Sequence, residues 1–133
     1  MLVDAPCSNL GVLRRNPEVK WRRTEADLRR LQAKQREILA AAATMARPGG
    51  VLVYATCSME PEENEHVIEP FLAAHPEWTI EPPGDRPADT DQAGFVRFLP
   101  HRHGTDGFTA VRLRRAAGAV ALGAGGGLRP PGP

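Results

Sequence analysis

The run VLVYATCS at residues 51–58 decides how this chain folds. Its first five residues are apolar, with valines and no charge, and the run has the length of one buried strand. The residues Arg47-Pro48-Gly49-Gly50 come directly before it, and a cation, a proline and two glycines in this order are typical of a helix end. The strand therefore follows a helix through a short loop, and Cys57 stands where the strand must end.

A long amphipathic helix is predicted upstream of that strand, from a cap at Thr24 to about Met45. Thr24 suits the cap position, and the acids Glu25 and Asp27 suit the first turn of a helix. Apolar and neutral residues then recur at a spacing of three to four, which predicts one buried face. Its predicted members are Leu28, Leu31, Gln35, Ile38, Ala42 and Met45.

The remaining segments extend this pattern on both sides. Met1–Asp4 is typical of the end of an interior strand, and a second helix is predicted from Pro61 to about Ala74. Short strands are predicted at 78–80, 95–99 and 108–113, with residues 81–93 forming a loop. The order predicts an α/β fold, the second half of a doubly wound sheet whose parallel strands have an antiparallel edge.

Composition fits one small domain. The chain has 133 residues, of which 41% are hydrophobic and 25% charged. We find no signal peptide and no apolar run of the roughly 20 residues that a membrane span needs, so we expect a cytoplasmic protein. The two cysteines are fifty positions apart and do not have zinc-ligand spacing, so we predict two thiols and no metal site.

Charge is segregated along the chain, although the net charge is only +1. Residues 14–36 hold nine Lys and Arg against three acids, and residues 59–91 hold ten acids against one Arg. Residues 92–115 are basic again. Basic segments separated by an acidic one can turn a positive face toward a polyanion, and solvated helix faces are the alternative interpretation.

The two cysteines lie at the predicted ends of consecutive parallel strands. Ligand sites in open α/β sheets lie at the carboxyl ends of the strands, so Cys7 and Cys57 can face one small ligand. A single cysteine would be interpreted as a buried structural residue, whereas two in one cleft favour chemistry. The polar side chains available beside the thiols are Ser8, Ser58, Asp4, and Glu62 or Glu63.

A thiolate is the nucleophilic form of cysteine, and it needs a lowered pKa or a neighbouring base near neutral pH. The predicted helix that starts at Pro61 comes just after Cys57. We expect its dipole to favour the thiolate.

Three ordered motifs at their mutual spacing identify a family. DAPCS with GVLRRNPEVKWRR, then VLVYATCSMEPEENE, then FLPHRHGTDGFTAVRL resemble the C-terminal motifs of the bacterial RNA (cytosine-5) methyltransferases. Within that family, the resemblance is to the enzymes that act on 16S ribosomal RNA. It covers roughly residues 1–114. It implies the second half of a Rossmann-like, S-adenosylmethionine-dependent methyltransferase fold.

The resemblance also implies roles for four residues. Cys57 matches the nucleophile that adds to C6 of the target cytosine, and Cys7 matches the cysteine that assists product release. Asp4 matches the acid that contacts the cytosine near N3. Asp4 and Pro6 are the residues that we expect beside the cofactor, S-adenosylmethionine. The target base must be unstacked to be reached.

RNA, most simply ribosomal RNA, is the partner that the resemblance implies. The family context favours RNA-backbone contacts by four arginines: Arg14, Arg15, Arg22 and Arg23. The chain departs from the family at Asn9, where glycine is usual, and at Thr109, where an aromatic residue is commoner.

The resemblance also predicts how the chain is organised. Residues 1–115 are expected to form the C-terminal part of the catalytic domain, and residues 116–133 a disordered Ala/Gly/Pro tail. The family's main cofactor motifs precede the first motif, so we expect a fragment that is inactive when isolated. The alternative is a catalytically inactive remnant that binds RNA or a partner.

Overall fold

A computed structural model of the chain describes residues 1–8, 24–85, 89–104 and 106–118. Within these ranges, α1 spans Glu25–Met45, α2 spans Glu65–Ala74 and α3 is the single turn Pro100–His103. The strands are β1 (Leu2–Asp4), β2 (Val51–Thr56), β3 (Trp78–Ile80), β4 (Asp89–Thr90), β5 (Val96–Phe98) and β6 (Phe108–Arg115).

The strands form one mixed sheet in the order β1-β2-β6-β5-β4, with β3 also paired to β6. β1 and β2 are parallel, whereas β6 runs antiparallel to β2, β3 and β5. This arrangement confirms the predicted α/β class and the antiparallel edge. It also places the ends of β1 and β2, which carry the two cysteines, at the same edge of the sheet.

The two faces of the sheet differ. Side chains alternate between faces along a strand, and directly paired residues share a face. The covered face packs with α1 and α2. Among its members are the core residues Val3, Leu52, Tyr54, Val111 and Leu113 and the buried threonines Thr56 and Thr109. The open face contributes nothing to that core cluster, and among its members are Leu2, Val53, Ala55, Phe98, Phe108 and Ala110.

Charge occupies one end of the open face. Arg112 and Arg114 both pair with Glu81, at 3.0 Å and 2.8 Å. The hydrogen bond from Arg114 holds the pKa of Glu81 below its usual value. The other end of the open face adjoins the cysteines and is mostly apolar, with Asp4 as its charged residue on β1.

Helix α1 begins and ends as its sequence predicts. The Thr24 hydroxyl accepts from the Asp27 N–H at 3.2 Å, and the Asp27 carboxylate accepts from the Thr24 N–H at 3.0 Å. Gly49 has φ +77°, a conformation that side chains other than glycine rarely adopt. A Cβ on Gly50 would lie 2.8 Å from the Arg47 carbonyl oxygen, so the turn into β2 needs both glycines.

The buried stripe of α1 differs from the prediction by about one residue in its second half. Gln35 and Ala42 are buried as expected, but Leu39 is fully buried and Met45 is 71% exposed. The buried positions of the helix are Gln35, Leu39, Ala42, Ala43 and, at its C-terminal cap, Ala46. Each residue turns a helix by about 100°, so a shift of one position changes the face on which a side chain lies. Met45 therefore points away from the sheet, and its place in the predicted face was wrong.

The second helix starts later than predicted. Pro61–Glu63 forms a single 3-10 turn, and α2 begins only at Glu65. Pro70 lies inside α2 and has no N–H to donate to the His66 carbonyl one turn earlier. Arg36 from α1 donates to that carbonyl oxygen at 2.9 Å, so a contact between the helices satisfies it.

The prediction that β1 is an interior strand concerns a complete sheet, and the described residues do not test it. β1 pairs with β2 alone and lies at the edge of the sheet, where Leu2 is 68% exposed. β2 is interior as predicted, between β1 and β6. The predicted loop at residues 81–93 contains the two-residue strand β4, which pairs with β5.

A leucine-to-alanine substitution should lower the free energy of unfolding much more on the covered face than on the open face. Leu113→Ala removes a side chain that is 0% exposed on the covered face, and we expect it to lower the free energy of unfolding by about 2–5 kcal/mol. Leu2→Ala removes a side chain that already contacts water, so its expected effect is below about 1 kcal/mol. Urea denaturation of both variants measures the difference. Equal losses would contradict the assignment of the two faces.

Candidate active site

The two cysteines meet where β1 and β2 end. Asp4 pairs with Ala55 in the sheet, and the Ala5 N–H donates to the Ala55 carbonyl oxygen at 3.0 Å, which extends the pairing beyond β1. The Cys57 N–H then donates to the Cys7 sulfur at 3.2 Å. Neither cysteine is in a disulfide; Cys7 is buried and Cys57 half-buried. The predicted meeting of the two thiols at one edge is confirmed.

The Cys57 thiol is held in its protonated form. The pKa of Cys57 is raised to about 11, and burial is the largest cause. The charges of Cys7, Asp4 and Asp106 and the hydrogen bond with Cys7 also contribute to this rise. The expectation of a helix dipole that favours the thiolate was wrong, because a 3-10 turn rather than an α-helix follows the loop. Deprotonation of Cys57 needs a group or a substrate in addition to these residues.

Glu63 lies between the two cysteine loops, which we define as residues 5–8 and 57–60. Its side chain is fully buried. Oε1 accepts from the Ser8 N–H at 2.8 Å and from Gln35 Nε2 at 3.0 Å. Oε2 accepts from the hydroxyls of Ser8 at 2.6 Å and Ser58 at 2.5 Å. One carboxylate therefore binds the serine that follows each cysteine.

Gln35 attaches the same loops to α1. Its Nε2 donates to the Pro6 carbonyl oxygen at 2.8 Å as well as to Glu63. Its Oε1 is buried and has no hydrogen-bond partner among the described residues. The polar position on the otherwise apolar face of α1 is explained by this contact with the first cysteine loop.

A second network holds the loop that contains Cys57. The Ser58 carbonyl oxygen accepts from Asn64 Nδ2 at 3.0 Å and from the Thr109 hydroxyl at 2.8 Å. The Thr56 hydroxyl donates to Asn64 Oδ1 at 2.7 Å. Tyr54, whose pKa is raised by burial, donates its hydroxyl to the Glu63 carbonyl oxygen at 2.8 Å. The threonine that departs from the family pattern at 109 thus makes a buried hydrogen bond to this loop.

Two carboxylates approach Cys57 from the edge of the sheet. Asp4 ends β1 and is exposed, and Asp106 is buried just before β6. Both are close enough for their charge to raise the pKa of Cys57. The sequence predicted Asp4 as a site residue, whereas Asp106 was not predicted, although it stands in the motif that contains Gly107 and Phe108.

An apolar pocket of about 360 Å³ lies on the open face near Cys57. Two exposed aromatic rings line it, those of Phe98 and Phe108, which pair across β5 and β6. Its other lining residues are Ala55, Thr109 and Ala110. Ala55 is two residues before Cys57, and neither cysteine lines the pocket.

Several predicted features lie outside the described residues. They are the four arginines Arg14, Arg15, Arg22 and Arg23, the departure at Asn9, and the tail from residue 119 onward. Among the residues that the structure does describe, no group of three His, Cys, Asp or Glu side chains could hold a metal ion. No helix in those ranges is long and apolar enough to cross a bilayer.

The described residues fit only one side of the predicted cofactor. Asp4 and Pro6 are exposed at the carboxyl end of β1, where a methyl donor would have to lie to reach a base held at Cys57. No glycine-rich loop that could bind a ribose or an amino-acid group occurs in the described ranges. Asp4 and Pro6 are therefore the described residues that could lie beside a cofactor.

Known proteins are similar to this chain in sequence and in fold. The ribosomal RNA small subunit methyltransferase B of Pasteurella multocida is 44% identical over 115 residues, which are 86% of this chain and 25% of the relative. The structure of PH0851 superposes with a TM-score of 0.81 at 43% identity, covering 86% of this chain and 26% of that one.

A third protein, NSun6 from Pyrococcus horikoshii, was solved with SFG. It superposes with a TM-score of 0.76 at 33% identity, covering 88% of this chain and 30% of that one. The chain spans about a quarter of the length of the curated relatives that it matches. These neighbours have the Rossmann-like fold of the S-adenosylmethionine-dependent methyltransferases. The profile of the family described as 16S rRNA methyltransferase RsmB/F matches residues 1–114, and the chain belongs to that family.

Proposed function

We propose that this chain carries the two-cysteine site of an RNA (cytosine-5) methyltransferase that acts on ribosomal RNA. The observation that supports this most directly is the contact between the Cys57 N–H and the Cys7 sulfur at 3.2 Å. Two thiols at the ends of parallel strands can act on one base from the same side. Membership of a 16S rRNA methyltransferase family supplies the substrate class.

Cys57 is the proposed nucleophile because it is the more accessible thiol. Its thiolate adds to C6 of the cytosine, and the electron pair of the C5–C6 double bond moves toward C5 and the ring. Asp4 shares a proton with N3 of the ring, and protonation at N3 offsets the negative charge that the ring accepts. C5 is now nucleophilic, which it is not in the intact base.

Cys7 acts in the second half of the proposed reaction. After C5 has gained a methyl group, its proton must leave, the C5–C6 double bond must re-form, and the bond between C6 and the Cys57 sulfur must break. Cys7 assists the loss of the proton and the release of Cys57. Its buried position against the Cys57 N–H keeps it beside the adduct.

S-adenosylmethionine supplies an electrophilic methyl group when it is bound. Asp4 and Pro6 are the residues of this chain that we propose beside it. One solved neighbour, NSun6, was crystallised with SFG. The rest of the cofactor site, and the proposal that residues 1–115 are the C-terminal part of a catalytic domain, concern the longer proteins that this chain matches.

RNA binding is proposed through Arg14, Arg15, Arg22 and Arg23, since cations that neutralise phosphates supply most of the affinity for RNA. Residues 14–36 carry the strongest positive charge of the chain. Ribosomal RNA as the substrate makes the cytoplasm the proposed location. The proposal involves no membrane and no metal.

The alternative is a catalytically inactive remnant that binds RNA or a partner, and the family match does not favour it. The pKa of Cys57 is about 11, so this thiol is protonated near neutral pH. A catalytic role therefore requires that substrate or additional protein lowers this pKa. The isolated chain is proposed to be inactive for this reason and because its described residues include no glycine-rich loop for the cofactor.

The two cysteines are expected to differ in a chimera in which residues 1–114 replace the matching segment of the Pasteurella relative. Cys57→Ala should abolish methyl transfer to ribosomal RNA, because C5 is never activated. Cys7→Ala should still form the adduct but release it slowly, so protein should accumulate on RNA. Denaturing gels of labelled RNA measure the adduct, and transfer of labelled methyl groups measures activity.

Thr44→Ala is the control for the chimera, since Thr44 is exposed on α1 and far from both cysteine loops. It should leave methyl transfer unchanged. Two similarly destabilised cysteine variants, with no adduct from either, would instead show that both thiols are structural. An adduct from Cys57→Ala and none from Cys7→Ala would reverse the two roles.

The pKa of Cys57 predicts how its reactivity depends on pH. Only the thiolate is alkylated, so the iodoacetamide rate at Cys57 should rise with a midpoint near pH 11 rather than near the ordinary value of 9.0. Asp4→Asn removes a negative charge that raises this pKa, so the midpoint should move to lower pH. Peptide mass spectrometry separates Cys57 from Cys7.

Asp91→Asn is the matched control, because Asp91 pairs with Arg97 and does not raise the pKa of Cys57. Its midpoint should equal that of the unmodified chain. A midpoint at or below pH 9 in the unmodified chain would contradict the burial of the thiol.

A further inference from the structure

We propose that Glu63 is a positioning residue that sets the distance between the two thiols. The inference rests on the proposed function, because that distance matters for catalysis only if both thiols act on one base. The carboxylate binds the residues that directly follow Cys7 and Cys57, and it touches neither sulfur in the contacts described above.

The geometry of the contact restrains both loops at once. The hydroxyls of Ser8 and Ser58 meet on one oxygen, Oε2, at 2.6 and 2.5 Å. The Ser8 N–H is bound to the other oxygen, so the backbone directly after Cys7 is held as well. A rotation of either loop would break a buried hydrogen bond, and buried donors without partners are strongly disfavoured.

The carboxylate itself has a fixed place. Gln35 from α1 donates to Oε1, and Tyr54 from β2 donates to the Glu63 carbonyl oxygen. Among the described residues, Glu63 forms no ion pair with Lys, Arg or His, so hydrogen-bond donors alone offset the burial of its charge. An acid that only stabilised the fold would not need to collect its donors from both cysteine loops.

Glutamine at this position changes the contact while keeping its size. A carboxylate only accepts hydrogen bonds, whereas an amide has one accepting and one donating end. The accepting oxygen must face the Ser8 N–H and Gln35, which are obligatory donors. The donating end then faces the two hydroxyls, so the charge-assisted O–H···O⁻ bonds give way to weaker neutral N–H···O bonds and the hydroxyl protons lose their shared acceptor. Glu63→Gln should therefore loosen the connection between the loops.

Disulfide formation within the 133-residue chain measures how close the thiols are. Diamide oxidises two neighbouring thiols to a disulfide, and its N=N bond takes up the two hydrogens. We expect a Cys7–Cys57 disulfide to form in the unmodified chain at a measurable rate, seen as a loss of two hydrogen masses. In Glu63→Gln this rate should fall at least fivefold, whereas the alkylation rate of each separate thiol should change less than threefold.

Two controls separate positioning from loss of stability. Glu81→Gln makes the same change at an acid that binds Arg112 and Arg114, and Phe71→Leu weakens the core beside Trp78. Both should leave the disulfide rate within twofold of the unmodified chain. The proposal would be overturned if Glu63→Gln formed the disulfide within twofold of the rate of the unmodified chain. It would also be overturned if Phe71→Leu, at a matched melting temperature, slowed disulfide formation as much as Glu63→Gln does.

A double variant tests whether Glu63 acts through its hydrogen bond with the Ser58 hydroxyl. Ser58→Ala removes one hydroxyl from Oε2, so Ser58→Ala combined with Glu63→Gln should be no slower than Glu63→Gln alone. If the two substitutions slowed disulfide formation by independent factors that multiply, the contact between this hydroxyl and the carboxylate would not be how Glu63 acts. These thiol measurements need no RNA. A chimera that never forms an RNA adduct would contradict the proposed function, whereas the disulfide rates alone decide the role of Glu63.

Discussion

The parallel pairing of β1 with β2 is the constraint on which the rest of the site depends. Parallel strands end at the same edge of a sheet, so the residues that follow them must meet. The register of Asp4 with Ala55 brings Cys7 to the Cys57 N–H at 3.2 Å. Helix α1 is the connection that makes the parallel pairing possible, and the glycines at its end let the chain turn into β2.

Polar groups, rather than apolar packing, hold the loops at that edge. Glu63, Gln35, Thr56 and Asn64 are all buried, and each hydrogen-bonds a cysteine loop or a residue that does. Hydrogen bonds to a charged group contribute about 1.5–3 kcal/mol each, and a buried donor that loses its partner costs about 1–3 kcal/mol. The network therefore favours one arrangement of the two thiols over a range of loosely packed ones.

The sequence predicted the elements and the meeting of the cysteines, because strand length, helix caps and connection order are local signals. It also named Ser8, Ser58 and Glu62 or Glu63 as polar neighbours of the thiols. It did not predict which acid lies between the serines, because Pro61–Glu63 forms a 3-10 turn that a propensity pattern does not distinguish from a helix start. Asp106 and the raised pKa of Cys57 depend on distant segments that only the folded sheet brings together.

In the proposed mechanism Cys57 attacks the base while Cys7 stays beside it. The most direct measurement is to trap the chimera on ribosomal RNA that contains 5-azacytidine, whose nitrogen at position 5 has no proton to lose, and to map the attached residue by peptide mass spectrometry. The account predicts that the RNA is attached to the peptide that contains Cys57. Attachment at Cys7, or no attachment by a folded chimera that binds the RNA, would contradict it.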